Sequence, residues 1–124
     1  MKISKEEFEN LVAEAMENLP EKFKTKLHNV AVIAEDRPTK EQLRGAGRTS
    51  RDYTLFGLFE GYCQARRANI GPVLPDKITI FRQPICDFCS SEDEIKKRIT
   101  STVKHEIAHH FGSDEKGARK ASKN

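Results

Sequence analysis

No apolar run in this chain approaches the roughly 20 residues that span a bilayer, so a membrane partner or anchoring helix has no candidate segment. Cysteine is scarce. Cys63, Cys86 and Cys89 are an odd number without the density of a disulfide scaffold, and they read as free thiols in a reducing compartment. The opening Met1-Lys2-Ile3-Ser4-Lys5-Glu6-Glu7 leads into a charged amphipathic pattern and not a secretory signal, so a cytoplasmic location is expected. Neither sign of charge dominates, since 22 basic and 19 acidic residues leave a net charge of +3 and little long-range field for a polyanion. The exception is Lys116, Arg119, Lys120 and Lys123, which follow Glu115 without another acid. Such a run reads as a solvated or frayed end at 116–124, and nucleic acid is not an expected partner. Repeats, low-complexity tracts and linkers are also missing, and 124 residues suit one core and not two, so residues 1–124 read as a single domain.

What is present is a sequence of short elements. Ser4 with Glu7 forms a capping box that opens a helix carrying Phe8, Leu11, Val12, Ala15 and Leu19 on one stripe. Pro20 suits the opening turn of a second short helix with Phe23 and Leu27. Val30 to Ala34 is apolar on both faces and reads as a covered, central strand. Thr39 with Gln42 makes another capping box, its helix ending at Gly45-Ala46-Gly47. Tyr53 to Gly61 reads as an edge strand in which Gly57 marks a bend or a close approach to another backbone. Lys77 to Arg82 alternates, with Ile78 and Ile80 on one face, and Pro84 is expected to stop this third strand. Ser91 with Glu94 then opens a long helix whose Ile95, Ile99, Val103 and Ile107 recur every four residues as far as Gly112.

The chemistry concentrates on that helix. His105 and His109 are four residues apart, so their imidazoles project from adjacent turns about 5.4 Å apart along the axis, and two nitrogens can share one cation. Glu106 is rotated from His105 by roughly 100°, which sets its carboxylate beside the metal and not on it. There it can take a proton from a metal-bound water. Gly112 can adopt a left-handed backbone conformation at the helix end, turning the chain so that Glu115 swings back as a third ligand. Glu115 is favoured by register, with Asp114 immediately before it as the alternative.

The stretch His105-Glu106-Ile107-Ala108-His109-His110-Phe111-Gly112 resembles the small bacterial zincin-like metallopeptidases, or mini-zincins. The resemblance extends back through Leu74-Pro75-Asp76-Lys77-Ile78-Thr79-Ile80-Phe81-Arg82 to Leu55-Phe56-Gly57-Leu58-Phe59-Glu60-Gly61, over half of the chain. It implies an α+β fold: a single zincin-like domain with a small twisted mixed sheet packed beside a zinc-binding active-site helix. It also implies a Zn2+ cofactor and a third protein ligand, commonly aspartate, at the position held here by Glu115. The larger metzincin relatives have a methionine-bearing turn below the metal. This chain's methionines, Met1 and Met16, both precede the helix, so that turn has no counterpart.

The function expected from these residues is zinc-dependent hydrolysis of a peptide or protein substrate, with Glu106 as general base to a zinc-activated water. An extended peptide could add to the edge strand at Tyr53 to Gly61 by backbone pairing. Tyr53, Tyr62 and His110 are the candidates for stabilising the tetrahedral oxyanion. His110, rotated by one residue from His109, is otherwise assigned to the surface or to the surroundings of the metal. The alternative reading is a catalytically inactive zincin-like module that binds zinc or another protein; Glu106 argues for chemistry, because a purely structural zinc has no use for a carboxylate there. A nucleic-acid binder using the basic tail is a third reading, and predicts steeply salt-dependent binding. Cys86-Asp87-Phe88-Cys89 has metal or redox spacing but no second such pair, and the two sulfurs and Phe88 are expected to pack under the long helix.

Overall fold

The computed structural model describes residues 1–45, 55–61 and 76–111. Helix α1 (Lys5–Glu17) begins on the expected capping box. Ser4 Oγ accepts the Glu7 N–H at 3.1 Å and the Glu7 carboxylate accepts the Ser4 N–H at 3.2 Å, so two orphan donors of the first turn are satisfied reciprocally. Phe8, Leu11, Val12 and Ala15 form its buried stripe. Pro20 is the N-cap of α2 (Glu21–Lys26), which adds Phe23 to the same core.

Strands β1 (Val30–Glu35), β2 (Gly57–Glu60) and β3 (Asp76–Phe81) make one mixed sheet in the order β1-β3-β2, β1 parallel and β2 antiparallel to β3. The expectation of a central strand at Val30 to Ala34 is therefore corrected: β1 lies at an edge and β3 is central. Nor is β1 covered on both faces as expected: Val30 to Ile33 are half-buried and Ala34 alone is buried, as suits a strand with a neighbour on one side only in the sheet described. β3 is covered on both faces. Its Ile78 and Ile80 join the main core, while Phe81 joins a smaller cluster with Leu43, Leu55 and Leu58 on the side of α3 (Lys40–Gly45). Helix α3 carries the second expected box, Thr39 and Gln42 bonding each other's backbone N–H at 2.9 and 3.0 Å.

Pro84 does not act as a stop. β3 runs directly into helix α4 (Arg82–Phe88) with Phe81 as the N-cap, and Pro84 is its third residue. The N–H that proline lacks has no intrahelical acceptor in a first turn, so the ring costs no hydrogen bond there. Arg82 anchors this junction: Nε donates to Asp36 Oδ1 at 2.9 Å and Nη1 to the Ile3 carbonyl at 2.8 Å. Cys86 and Cys89 are buried as expected, but Phe88 is 62 % exposed, edge-on to Phe56 with ring centroids 5.2 Å apart. Phe88 is the last residue of α4 and Cys89 its C-cap in extended backbone, and the two side chains part where the helix ends.

Helix α5 (Glu92–Phe111) is the long element beside the sheet. Its box is only half formed: Ser91 Oγ accepts the Glu94 N–H at 3.2 Å, whereas the Glu94 carboxylate reaches Ser90 N–H at 3.0 Å. Ile95, Ile99, Val103 and Ile107 are at most 1 % exposed and pack with α1, Ile78 and Ile80. Each such side chain contributes about 1.5–3 kcal/mol of transfer free energy, which makes this stripe the main anchor of the helix. The result is the expected α+β arrangement, a small mixed sheet against one long helix. Among the described residues no helix is long and apolar enough to cross a membrane.

Candidate active site

The four-residue stagger that buries Ile99, Val103 and Ile107 decides what the rest of α5 can face. His105 and His109 lie on a solvent-directed stripe and both are exposed. Their rings meet edge to face, with centroids 4.3 Å apart and planes at 70°. The two imidazoles predicted as ligands are thus brought together on one face of one helix. Neutral imidazole nitrogen is an ordinary zinc donor, and this pair, open to solvent and unhindered by core packing, fits two positions of a zinc site.

Glu106 belongs to the neighbouring stripe, Arg98, Thr102, Glu106 and His110, which lies along residues 56–59. The Arg98 guanidinium sits 5.0 Å from the centroid of the Phe56 ring. Thr102 covers Gly57 so closely that a Cβ built on the glycine would stand 2.5 Å from Thr102 Cγ2 and 3.2 Å from the Thr79 carbonyl oxygen. The expected close approach at Gly57 is therefore real, and its nearest partner is a helix side chain. With that space, β2 reaches Glu106: Oε1 accepts the Phe59 N–H at 2.8 Å. The carboxylate is only 15 % exposed. One turn on, the His110 ring stacks on the Phe59 ring, centroids 4.3 Å apart and planes at 16°, and its Nε2 is 4.0 Å from Glu106 Oε1.

The ladder explains why that N–H is available to the helix. Phe81 N–H donates to the Phe56 carbonyl at 2.9 Å, and the register pairs Leu58 with Thr79 and Glu60 with Lys77. In an antiparallel pair bonding alternates, so Gly57 and Phe59 turn their backbone groups away from β3, toward the outer side of β2. The edge position expected for this segment holds in the sheet described, over Gly57–Glu60. On the opposite face of the sheet, a cleft of about 420 Å³ runs between α3 and β2, lined by Thr39, Gln42, Leu58, Glu60 and Lys77, with Phe59 at its border.

Glu115 and its alternative Asp114 lie outside the described residues, as do Gly112, Tyr53, Tyr62 and the basic tail at 116–124. Among the described residues there is no group of three or more His, Cys, Asp or Glu side chains that could hold a metal. The sequence set Glu106 one position from His105 but gave no sign of the strand backbone that holds it or of the ring stack of His110. What it does carry is the tandem spacing, His105 with His109 and Glu106 with His110, two four-residue pairs offset by one position.

Cys86 and Cys89 are free, buried thiols. Burial raises both above the ordinary thiol range, the reverse of what a nucleophilic or redox-active cysteine needs, and they pack in the main core beside Ile85 and Ile95.

Among curated proteins the chain has no match. The sequence model of the family described as zincin-like metallopeptidase matches residues 27–122 of the 124, a span that runs from the end of α2 across the whole sheet and α5. With the paired imidazoles and the adjoining carboxylate inside that span, the chain belongs to the zincin-like metallopeptidase family.

Proposed function

We propose that this protein is a zinc-dependent peptidase in which His105, His109 and Glu115 hold the metal and Glu106 is the general base. The whole of residues 1–124 acts as one domain in this reading. The observation that carries it is the Glu106 carboxylate, fixed at 2.8 Å by the Phe59 N–H of the edge strand, on the same helix as the paired imidazoles of His105 and His109. A purely structural zinc site has no need of a carboxylate held off the ligand set.

The bound zinc supplies Lewis acidity toward water and a peptide carbonyl. Glu106 takes the proton of the attacking water and returns it to the leaving amine, using the oxygen that the Phe59 N–H does not hold. The Phe59 bond restricts the carboxylate to one rotamer, so its reach is set before substrate arrives. Strand addition of an extended peptide to β2 is limited to the backbone groups that α5 leaves free, because Glu106 already takes the Phe59 N–H and Thr102 covers Gly57.

The test is metal analysis and turnover of unfolded protein substrates by the wild type and Glu106→Gln. Both are expected to hold one zinc, with the variant slower by about 10²–10⁴-fold, the usual worth of a general base. Zinc in both with cleavage by neither overturns the peptidase reading and leaves a zinc-binding module. Absence of stoichiometric zinc from the wild type in excess metal removes both.

A further inference from the structure

We infer that His110 is a positioning residue for Glu106: stacked on the Phe59 ring, it clamps strand β2 so that the Phe59 N–H stays on the Glu106 carboxylate. The inference rests on the reading of Glu106 as general base for its catalytic meaning, and on geometry alone for the clamp.

The Phe59 N–H is donated to Glu106 Oε1 at 2.8 Å and the Phe59 ring lies nearly parallel to the His110 ring at 4.3 Å, while the His110 Nε2 stands 4.0 Å from the same carboxylate oxygen. At 4.0 Å the imidazole is beyond hydrogen-bond reach of Glu106. Its grip on the carboxylate is therefore indirect, through the strand. Glu106 and His110 are four residues apart and share one side of α5, so a single strand residue is held at two points, backbone and ring, by successive helical turns.

The clamp is needed because β2 is short and lies at the edge of the sheet. It has four residues and bonds to β3 through alternate positions, Leu58 and Glu60 on either side of Phe59. Gly57, whose missing side chain allows the close approach to Thr102, adds no packing of its own. The aromatic pair at Phe59 supplies what the glycine leaves out. Stacked aromatic pairs add stabilisation beyond simple burial and prefer one offset, which fixes distance as well as contact.

The stack also separates the two histidines at the end of the motif. His109 belongs with His105, ring against ring at 4.3 Å, whereas His110, itself 44 % exposed, lays one face of its ring on Phe59 of the strand. His110 is thereby assigned to the carboxylate's support and not to the metal or to the oxyanion.

The experiment measures amide hydrogen exchange of Phe59 by NMR in metal-free protein, in the wild type and in Glu106→Ala, His110→Ala and His110→Phe. Glu106→Ala removes the acceptor and sets the full effect, an acceleration of roughly ten- to hundredfold for a bond to a charged acceptor. His110→Ala is expected to give most of that acceleration. His110→Phe, which keeps a flat ring and no nitrogen, is expected to restore the wild-type rate. Exchange at Ile78 and Ile80, in the central strand, reports whether a variant has simply lost global stability. A Phe59 rate unchanged in His110→Ala overturns the clamp, and so does His110→Phe behaving as His110→Ala with Ile78 and Ile80 unchanged.

Zinc titration adds a second arm: His110→Phe is expected to bind one Zn2+ with wild-type affinity, and a loss of about tenfold or more would tie His110 to the metal, as a ligand or as the support of one, and overturn the assignment. Where turnover is measurable, His110→Ala lowers kcat with KM unchanged and His110→Phe recovers it. If the wild type cleaves nothing, the peptidase reading falls, and the exchange and titration arms still decide the clamp.

Discussion

The carboxylate of Glu106 accepts the backbone N–H of Phe59 at 2.8 Å, a bond between the long helix and the edge strand across 47 residues of sequence. A charged acceptor on an amide donor in a site only 15 % open to solvent is among the stronger hydrogen bonds a protein makes. It joins α5 to β2 and fixes the carboxylate that follows His105 in the chain. Its geometry depends on how closely strand and helix can approach.

That approach is controlled at Gly57. In Gly57→Ala the new methyl would lie 2.5 Å from Thr102 Cγ2 and 3.2 Å from the Thr79 carbonyl, and the strand has to move off the helix. Overpacking of this kind costs about 1–3 kcal/mol, to be read as a shift in urea unfolding. Thr102→Ser removes the offending methyl and keeps the hydroxyl, which donates to the Arg98 carbonyl at 2.7 Å. The double variant is expected to lose less than the two single losses added; simple additivity would show that the Thr102 methyl is not what limits the strand.

The central strand holds a polar group with a removable cost. Thr79 is fully buried and, among the described residues, its hydroxyl has no hydrogen-bond partner. Valine replaces that hydroxyl with a methyl of similar shape. Thr79→Val is expected to raise stability by up to about 1–3 kcal/mol, the penalty of an unmade buried bond. A lowered urea midpoint would mean that the hydroxyl is satisfied.

Burial raises the Cys86 and Cys89 thiols, and the consequence is a one-sided pH dependence. Because the native state holds these protons more tightly than the unfolded chain does, their contribution to stability is complete below the unfolded thiol value of about 8.5 and is lost as pH rises through the folded one. Stability is therefore expected to fall on the alkaline side in a Cys63→Ser background, and less so when Cys86 and Cys89 are both alanine. Alkylation of the native thiols, which requires thiolate, should be much slower than in the unfolded chain. Native alkylation as fast as in denaturant would show that the pair is open and reactive.

Much of this molecule could be read without its structure, for a common physical reason. Capping boxes at Ser4 and Thr39, the buried stripe Ile95, Ile99, Val103 and Ile107, and the pairing of His105 with His109 are all relations within four residues, where helix geometry converts spacing directly into proximity. Gly57 announced a close approach but not its neighbour, because the absence of a side chain records space and not what fills it. The exposure of Phe88 and the helical turn around Pro84 escaped because a proline in a first turn reads, locally, like a stop.

The amino-acid sequence by itself determined the imidazole pair, the carboxylate one position on, and the stripe that buries their helix. Tertiary structure alone decided that β3 and not β1 is central, that the Phe59 N–H holds Glu106, and that His110 turns to the strand while His109 turns to His105. Those outcomes depend on which strand edges pair and how near two elements can come. Backbone hydrogen bonding and close packing between distant segments settle both, and neither leaves a period in the chain.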